Sequence, residues 1–597
     1  MKFLDTPYHS NTRDRINQNG HIYTGKHVTG DHKIYHSGSD YVLFAGEIYS
    51  WPDSIDKSTN NPAENILELV VKKGIGHIPK LNGKFSAVIK YNTNIYVTRD
   101  FLGTYTPIYY NETLFTNSLK VLKKHQVIDF KADKDALIIF LRRGFIPAPQ
   151  TPVKGLFKLA PGEYLSYDLA NKKLTIKNVL NYESYYANSK TFSGSFKDAI
   201  NTYKFHHQEA VRSRIKGKSN IALLLSGGYD SGGNLAALRE IYQGDIDAYS
   251  IGFKNSQWSE TPLARVMADR FNARHHIITM EGDEIENMPE VVDIFEEPFF
   301  ENGLLVNYKI SQAINSSDAD VILGGDGNDQ FFGTRSREMA LKYFMQKSGI
   351  QVMQKAMRQT LLNSTRYYRY GFHNNAILNA LEADEFGFTN KQIKKIMPDS
   401  ELPEFKKIKS SWFDSYDQLY IKRNFKTDIL QSATQVILHK ANMTTSAQKL
   451  NVVFPYTDPA VFDFVSTLPR TYKVNGSALG IMRNKAQSKH LFKEYLKPVL
   501  PDEVINKKKQ GGFAPLGIFL DNAQYRKRIY SFVEKVLSDV DFIDSSELNT
   551  LFQRFEDNLN KQNQWFWFIQ TQHSQIMYLF VLAIWWEHFI NDKKAIL

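Results

Sequence analysis

Residues 223–233 read Leu-Leu-Leu-Ser-Gly-Gly-Tyr-Asp-Ser-Gly-Gly, and this stretch decides the fold. The short apolar run from Ile221 to Leu225 is typical of a parallel strand that is covered on both faces. From Asn234 onward the apolar spacing is helical, so the serine and the glycines lie in a turn before a helix N-terminus. Backbone N–H groups at such a turn, together with the helix dipole, favour an anion. The stretch therefore predicts a phosphate-binding loop in an α/β fold.

The residue types of this loop suit the phosphates of a nucleotide. Glycines let phosphate oxygens approach the backbone closely, and a carboxylate at Asp230 could hold Mg²⁺ on those phosphates. We predict that the loop binds ATP through Leu225, Ser226, Gly227, Gly228, Asp230 and Ser231. The pattern Ser-Gly-Gly-x-Asp-Ser after a strand indicates an ATP pyrophosphatase, with ATP and Mg²⁺ as its cofactors. A glycine-rich turn without a ligand is the alternative interpretation.

A second buried strand that ends in glycines and acids follows farther along the chain. Residues 321–333 read Val-Ile-Leu-Gly-Gly-Asp-Gly-Asn-Asp-Gln-Phe-Phe-Gly. Open α/β sheets bind their ligands at the carboxyl ends of the strands. We therefore predict that Gly324 and Gly325 line the ATP site and that Asp329 is a second metal ligand, opposite Asp230. By itself the element could be a tight turn, but its partnership with the first loop favours a shared site.

In their order and spacing, the two motifs resemble those of the asparagine synthetase B family of ATP-dependent amide-forming enzymes. The resemblance extends over nearly the whole chain. Further elements similar to that family are Ser250–Phe253, Ser259-Glu260, Glu296–Phe299, Phe454–Asp458 and Lys509–Gly517. The resemblance implies that the first of these contacts the adenine, which adds Ile251 to the predicted ATP site.

The resemblance also implies a two-stage reaction and two catalytic residues. A substrate carboxylate would attack the α-phosphate of ATP and expel pyrophosphate, and an amine would then attack the acyl-adenylate and release AMP. Lys509 would meet charge on the α-phosphate or on the tetrahedral oxyanion, whereas Lys507 and Lys508 are interpreted as surface charge. Asp326 stands where the family has an acidic residue, or a tyrosine in its β-lactam-forming branch. It would orient or deprotonate the amine.

The N-terminal part resembles the glutaminase domain of the same family. The similar segments are Phe44–Tyr49, Leu81–Val88, Arg99–Gly103, Pro107–Tyr110 and Ala160–Gly162. Independently of the resemblance, alternating apolar and polar residues over Lys84–Tyr91 and Asn94–Thr98 predict antiparallel strands.

This part departs from the family at the positions that would hydrolyse glutamine. Members of the family use an N-terminal cysteine as the nucleophile, but this sequence begins Met-Lys-Phe-Leu and contains no cysteine. The covalent step requires a thiolate, which lysine cannot replace. Ala45 and Asn82 also stand where the family usually has Asn and Asp. We therefore expect an inactive glutaminase-like domain; artificial inactivation would explain the missing cysteine but not the other two changes.

Together these observations predict an α/β protein of two domains, which agrees with a length of 597 residues. Residues 1–185 would form an Ntn-type, glutaminase-like αββα sandwich. Residues 195–597 would form the ATP-pyrophosphatase synthetase domain, with an adenine-nucleotide α-hydrolase-like, doubly wound parallel sheet and a largely helical C-terminal part. A helix from Phe196 to Ile215 is predicted to lead into the phosphate strand.

The composition is that of an ordinary soluble protein, with 23% charged and 42% hydrophobic residues. The polar start shows no signal peptide. The longest apolar run, from Ile576 to Trp586, is about half of the roughly 20 residues that a membrane span requires, so we predict a buried helix and no membrane span. The absence of cysteine fits a reducing compartment. The dependence on ATP supports the same expectation, a cytoplasmic location.

The net charge of +11 has to be weighed against nucleic-acid binding. Arg366–Tyr370 interleaves basic and aromatic side chains, but a solvated helix face is the favoured interpretation, and we expect no nucleic-acid partner. A tRNA-modifying ATP pyrophosphatase shares the Ser-Gly-Gly-x-Asp-Ser loop, yet those thiolating enzymes usually need cysteines. A non-catalytic scaffold is disfavoured because Asp230, Asp326, Asp329 and Lys509 are all retained. The excess positive charge is compatible with an anionic or membrane-bound substrate.

The nitrogen donor is open. Ammonia, free or from a separate source, would give asparagine or the amide of a cell-wall precursor. A cysteine-free glutaminase relic also characterises the family's β-lactam synthetases and lasso peptide cyclases, in which the substrate's own amine attacks; a precursor-peptide delivery protein would then be a partner. Asp326 favours the ordinary synthetase branch, because the β-lactam branch has tyrosine there. We expect a small-molecule or peptide carboxylate as the substrate, and the sequence is compatible with a homodimer.

Overall fold

A computed structural model shows a mixed α/β architecture. It describes residues 33–55, 60–126, 128–181, 190–254, 259–347, 368–378, 387–401, 415–506, 514–559 and 565–595, and the backbone of three short strands nearer the N-terminus. The first half of the predicted domain boundary near residues 184–195 falls outside these residues, and the boundary stays a prediction.

Seventeen strands lie in the described part of the chain. They are β1 (Lys2–Leu4), β2 (Arg15–Asn17), β3 (His21–Tyr23), β4 (Lys33–Ser37), β5 (Asp40–Ser50), β6 (Asn82–Tyr91), β7 (Asn94–Arg99), β8 (Tyr109–Tyr110), β9 (Leu114–Thr116), β10 (Phe157–Lys158), β11 (Glu163–Asp168), β12 (Lys173–Asn178), β13 (Ile221–Leu224), β14 (Ile246–Phe253), β15 (Arg274–Met280), β16 (Val321–Leu323) and β17 (Val452–Val453).

The N-terminal strands form two six-stranded sheets, ordered β10-β8-β9-β1-β3-β2 and β12-β11-β7-β6-β5-β4. The second sheet is antiparallel throughout. Its β6 and β7 pair as Val88 with Val97 and Tyr91 with Asn94. Because successive side chains of a strand point to opposite faces, Ala87 and Ile89 of β6 enter one core cluster and Val88 enters another. The antiparallel strands predicted at Lys84–Tyr91 and Asn94–Thr98 are therefore confirmed.

The later strands form one parallel sheet, in the order β15-β14-β13-β16-β17. All four neighbouring pairs are parallel. The central strand β13 is the apolar run that was predicted from Ile221, and both of its neighbours end at the same edge. The parallel sheet expected from the sequence is confirmed, and its carboxyl edge carries the two glycine-acid loops.

Helices connect and cover these sheets. They are α1 (Pro62–Lys73), α2 (Leu119–Lys124), α3 (Lys134–Arg143), α4 (Phe196–Ile215), α5 (Tyr229–Ile241), α6 (Thr261–Arg270), α7 (Met288–Phe295), α8 (Leu304–Asn315), α9 (Asn328–Phe332), α10 (Ser336–Lys347), α11 (Tyr368–Leu378), α12 (Asn390–Ile396), α13 (Tyr416–Arg423), α14 (Leu438–Ala447), α15 (Pro459–Thr467), α16 (Arg470–Lys473), α17 (Ala478–Met482), α18 (His490–Leu496), α19 (Asp502–Ile505), α20 (Gly517–Leu520), α21 (Ala523–Leu537), α22 (Ser545–Leu559) and α23 (Phe566–Trp585). Two π-helices, Asn424–Ile437 and Trp586–Ile590, and three 3₁₀ turns, Ile75–Lys80, Asp283–Asn287 and Pro455–Thr457, complete the helical elements of these residues.

The helix predicted from Phe196 to Ile215 is confirmed as α4. Its start is fixed by a capping box, in which Ser195 Oγ accepts from the Asp198 N–H at 3.1 Å and Asp198 accepts from the Ser195 N–H at 3.0 Å. Such caps satisfy N–H groups that lack a partner within the helix. α4 then packs along α5, beside the phosphate loop.

One hydrophobic core joins the N-terminal and C-terminal parts. It contains side chains from α3, α7, α8 and α23. The rings of Phe140 and Tyr578 lie 5.5 Å apart, and the Phe300 N–H donates to Gly144 O at 2.7 Å. Gly144 has φ +80°, and a Cβ there would lie 2.4 Å from Phe300 O, so this contact requires glycine. This shared cluster therefore joins the two parts, and further clusters lie within the N-terminal part alone.

The helix α23 runs through this core. Its residues from Ile576 to Trp585 are buried, which confirms the buried helix that was predicted over Ile576–Trp586. No helix in the described part of the chain combines the length and the apolar character needed to cross a membrane.

Two consecutive glutamates also stabilise the contact between the N-terminal and C-terminal parts. Glu296 accepts hydrogen bonds from Ser118 Oγ at 2.8 Å and from backbone N–H groups at the start of α2. Glu297 accepts from Tyr109 OH at 2.7 Å and pairs with Lys158 at 2.7 Å. The Glu-Glu-Pro-Phe element thus connects the C-terminal part to the N-terminal part through a half-buried and a buried carboxylate.

Candidate active site

The phosphate loop and the second glycine-acid loop lie against each other at the carboxyl ends of β13 and β16. A Cβ on Gly325 would lie 3.1 Å from Ser231 N and 3.3 Å from the carbonyl carbon of Asp230. The Asn234 side-chain amide donates to Gly324 O at 2.9 Å. A larger residue at Gly325 would push the loops apart, so the glycine lets two motifs that are distant in sequence form one crevice.

Within the phosphate loop, two serines hold the turn. The Ser226 N–H donates to Ser231 Oγ at 3.0 Å, and the Gly228 N–H donates to Ser226 Oγ at 3.2 Å. Gly228 is the N-cap of α5, which begins at Tyr229. The sequence pattern indicated helix only from Asn234 onward, because the glycines before Asn234 hide the apolar period in the first turn. The loop lies at the positive end of the α5 dipole, where an anion is favoured.

The predicted adenine side of the crevice is held by β14. Ser250 Oγ donates to Leu225 O at 2.6 Å, which ties the end of β13 to its neighbour. Leu225 is buried and Ile251 is half-buried. Beside them, Gly227 lies against Glu260, since an added Cβ would be 3.1 Å from Glu260 Cβ. The residues predicted for adenine therefore line one end of the phosphate loop.

A cluster of charged side chains occupies the centre of the crevice. Asn328 Nδ2 donates to Asp230 Oδ1 at 2.7 Å. The Lys489 ammonium donates to the same oxygen at 2.6 Å and lies 2.8 Å from Asp329 Oδ1. In the structure, the two predicted metal ligands thus contact the same positively charged side chain, that of Lys489.

Two buried tyrosines hold this cluster through hydrogen bonds. Tyr456 OH donates to the backbone O of Asp230 at 2.7 Å, and Tyr203 OH donates to Asn328 Oδ1 at 3.1 Å. Both rings are fully buried. The cluster is therefore pre-organised by the core, as an electrostatic site requires.

The residues of the cluster fit a Mg²⁺ ion that arrives with phosphates. Asp230 and Asp329 offer only oxygen ligands, which Mg²⁺ prefers, and such sites commonly hold the ion through one or two carboxylates plus substrate phosphates. The Lys489 ammonium between them shows that the position attracts positive charge. Among the described residues, no group of three or more His, Asp or Glu side chains gathers as a metal site, so the protein by itself supplies an incomplete set of ligands.

The predicted catalytic aspartate, Asp326, follows Gly325 in the second loop. Desolvation raises the pKa of its carboxyl to about 6, and the nearby ammonium of Lys440 opposes that shift. Lys440 is buried and pairs with Glu301. A Cβ on Gly303 would lie 2.8 Å from Lys440 Nζ, so the glycine leaves room for the pair. A carboxyl with a pKa near neutrality is suited to general base catalysis.

The predicted catalytic lysine, Lys509, lies outside the described residues, and so do Lys507 and Lys508. The chain that leads to them is tied to the phosphate loop, because Tyr229 OH donates to Ile505 O at 3.0 Å. The role of Lys509 stays a prediction.

Sequence reasoning missed several residues of the crevice. Asn328 carried a signal, since it stands between the acids of the second motif, and Tyr456 stands inside the Phe-Pro-Tyr-Thr-Asp element. Lys489, Lys440 and Glu301 carried none, because they come from separate helices and loops and only folding brings them to the site.

Most of the chain matches known protein families. Residues 206–585 match a family model described as asparagine synthase, and residues 30–180 match one described as a glutamine amidotransferase domain. The first match covers more than half of the 597 residues.

Named relatives share a modest identity with the chain. It is 28% identical over 340 residues to the putative asparagine synthetase (glutamine-hydrolyzing) 2 of Methanocaldococcus jannaschii, covering 53% of this chain and 64% of that protein. It is 23% identical over 520 residues to asparagine synthetase (glutamine-hydrolyzing) 1 of Bacillus subtilis, covering 82% of this chain and 78% of that protein. A putative asparagine synthetase (glutamine-hydrolyzing) of Mycobacterium tuberculosis is 22% identical over 533 residues, covering 83% and 78%. The chain thus spans somewhat less than two thirds of the first relative.

Proposed function

The chain belongs to the asparagine synthase family, and from that premise we propose that it is an ATP-dependent ligase that forms amides. It would adenylate a substrate carboxylate, release pyrophosphate and transfer the acyl group to an amine or ammonia. The observation that carries the proposal is the crevice between two loops. One is the phosphate loop, which contains Asp230, and the other contains Asp326 and Asp329. Such a crevice at the carboxyl edge of a parallel sheet is where this kind of fold binds its ligand.

In the first stage, the loop from Ser226 to Ser231 would grip the β- and γ-phosphates at the N-terminus of α5. Asp230 and Asp329 would hold Mg²⁺, which supplies positive charge against the departing pyrophosphate. Lys489 lies beside both carboxylates and would donate to the same phosphates. Lys509 would stabilise charge on the α-phosphate or on the tetrahedral oxyanion.

In the second stage, Asp326 would accept a proton from the attacking amine. The amine nitrogen forms its bond to the activated carbonyl carbon, the bond to the AMP oxygen breaks, and AMP leaves. Lys440 keeps a positive charge near Asp326 and is itself held by Glu301. The Lys440 ammonium would therefore favour the ionised, proton-accepting form of Asp326 over what burial alone would allow, while the Glu301 carboxylate acts against it.

Product analysis tests the assignment. With a carboxylate substrate, tested first as L-aspartate with ammonia, the protein should convert ATP into AMP and pyrophosphate in amounts equal to the amide formed. Substrate-dependent exchange of labelled pyrophosphate into ATP should accompany the first stage. Formation of ADP and phosphate with the amide would contradict the proposal, because the attack would then have fallen on the γ-phosphate.

A dependence on pH follows from Asp326. A general base works in its ionised form, and its pKa is about 6 in the structure. Below that value kcat/KM should fall about tenfold per pH unit, and above it kcat/KM should level off. A profile from pH 5 to 8.5 measures this, and Asp326→Asn should lose the acidic limb together with most of the rate. Persistence of the same limb in Asp326→Asn would assign it to another group.

For the N-terminal part we propose an Ntn-type sandwich that no longer hydrolyses glutamine, and for the later part a doubly wound sheet. Asn82, at a position where the family usually has Asp, donates to Asp458 Oδ2 at 2.8 Å and accepts from Arg214. Arg214 and Asp458 form a buried ion pair at 2.8 Å. Asn82 is thus engaged in a contact with the synthetase part, which supports the proposal that this face now joins the two halves.

Glutamine should therefore not donate nitrogen through this chain. Purified protein incubated with glutamine should release no glutamate above background, with or without ATP, because the sequence contains no cysteine nucleophile. Ammonia or a tethered amine should support amide formation with the correct carboxylate. Glutamate released in step with the amide would instead require another nucleophile, such as a group near Thr6 or Ser10.

The missing cysteine also favours a second candidate, an intramolecular lactam-forming cyclase of the lasso-peptide or β-lactam type. A substrate that carries both groups would lose the mass of one water without added ammonia. An amidated cell-wall precursor would gain an amide only with ammonia, and a delivery protein or ammonia source would be the partner in either case. We place the reaction in the cytoplasm, where ATP is available.

A further inference from the structure

One buried ammonium joins both carboxylates that the proposed function assigns to Mg²⁺. Lys489 Nζ lies 2.6 Å from Asp230 Oδ1 and 2.8 Å from Asp329 Oδ1. The Lys489 side chain is 8% exposed, whereas those of Asp230 and Asp329 are 26% and 41% exposed. The carboxylates therefore face the crevice, and the ammonium lies behind them.

The lysine is held by these contacts in an uncommon backbone conformation. Lys489 has φ +53° at the start of α18, in the left-handed region that residues with a side chain rarely adopt. Burial by itself would lower the Lys489 pKa, but Asp230 and Asp329 outweigh burial and the pKa is raised. A strained residue that persists at a functional site indicates that its surroundings fix it there.

We propose that Lys489 is a built-in counter-ion that excludes divalent metal from the acid pair until a polyphosphate takes over the ammonium. The inference rests on the proposed function, since it adopts Asp230 and Asp329 as metal ligands. Metal alone would have to displace the ammonium and leave a buried charge without an anion, which is strongly unfavourable. A nucleotide brings phosphate oxygens that can accept from the lysine as the metal enters.

A consequence is that metal and nucleotide enter the crevice together. Each should raise the affinity for the other, because linkage between two ligands is reciprocal. Without a metal, the single positive charge of Lys489 then offsets one of the two carboxylate charges, and free Mg²⁺ does not occupy the site in advance.

Titration with Mn²⁺, followed by the loss of its free electron-spin resonance signal, tests this without a carboxylate substrate. The wild-type protein alone should bind no Mn²⁺ in the crevice at millimolar concentration, and a non-hydrolysable ATP analogue should create one bound Mn²⁺. Lys489→Met should bind Mn²⁺ without nucleotide, at least about a hundredfold more tightly than wild type. Lys489→Met combined with Asp329→Asn should lose that binding again.

Lys497→Met is the matched control. It removes an equal positive charge at the C-terminal end of α18, where the Lys497 side chain is 64% exposed. This variant should bind Mn²⁺ like the wild type. Lys489→Gln, which keeps a hydrogen-bond donor between the carboxylates, replaces Lys489→Met if the latter does not fold. Tight Mn²⁺ binding by the wild type alone would overturn the proposal, and so would a folded Lys489 variant that binds Mn²⁺ no better than wild type.

The result is distinguishable from a failure of the proposed function. If the ligase assignment is wrong, AMP and pyrophosphate do not form, yet the Mn²⁺ titrations still report on Lys489 and the acid pair. If Lys489 is not a counter-ion, the titrations show no gain on its removal while AMP formation by the wild type stands.

Discussion

Asp230→Asn should lower substrate-dependent AMP formation by about a thousandfold. The carboxylate of Asp230 accepts hydrogen bonds from Lys489 and Asn328 and would also bind Mg²⁺. An amide has one oxygen and no negative charge, so it cannot serve all three partners. A loss of about 4 kcal/mol in transition-state stabilisation corresponds to this factor. The rate of AMP release at saturating ATP and limiting Mg²⁺ measures it.

The matched control is Asp245→Asn. Its carboxylate is 79% exposed and pairs with Arg274 on the surface, so the variant should retain nearly the wild-type rate. Asp329→Asn should resemble Asp230→Asn in rate, since it removes the other carboxylate on the same ammonium. Circular dichroism and thermal melting establish that each variant folds. If Asp230→Asn stayed within tenfold of wild type, the metal site would lie elsewhere.

Lys509→Ala should lower kcat by about a hundredfold with little change in ATP affinity. An ammonium that meets charge developing in the transition state typically contributes about 3 kcal/mol, and about 1.4 kcal/mol corresponds to each factor of ten. The proposal assigns ATP binding mainly to the phosphate loop and to the predicted adenine contacts. Single-turnover rates and nucleotide titrations on the same variant separate the two effects.

Two neighbouring lysines provide the comparison for Lys509. Lys507→Ala and Lys508→Ala remove the same charge within two residues and should keep most of the rate. A loss at either of them equal to that at Lys509 would show that the catalytic lysine had been assigned to the wrong position in the loop.

The sequence was informative where the signal is local. The run from Ile221, the helix Phe196–Ile215 and the alternation in Lys84–Tyr91 each carry their period within one element, and the structure has all three. The meeting of the two loops was also predictable, because carboxyl ends of parallel strands share one edge of the sheet. The start of α5 was predicted too late, since Gly232 and Gly233 near its beginning leave no apolar period there.

The remaining features depend on contacts between distant segments. Nothing near Lys489 marks it as a partner of Asp230, and the pair forms only because α18 packs beside the phosphate loop. The Lys440–Glu301 pair likewise joins α14 to the turn before α8. Burial and charge pairing decided these positions, and neither can be read from spacing.

The core shared by α3 and α23 has a consequence for how this protein changes over time. A half that, as proposed, no longer hydrolyses glutamine would ordinarily be free to shrink or to be lost. Here its removal would leave the apolar side of Tyr578 and its neighbours in water. Substitutions in the N-terminal half should therefore change the amount of folded protein in a cell. The turnover rate of each folded molecule should stay unchanged.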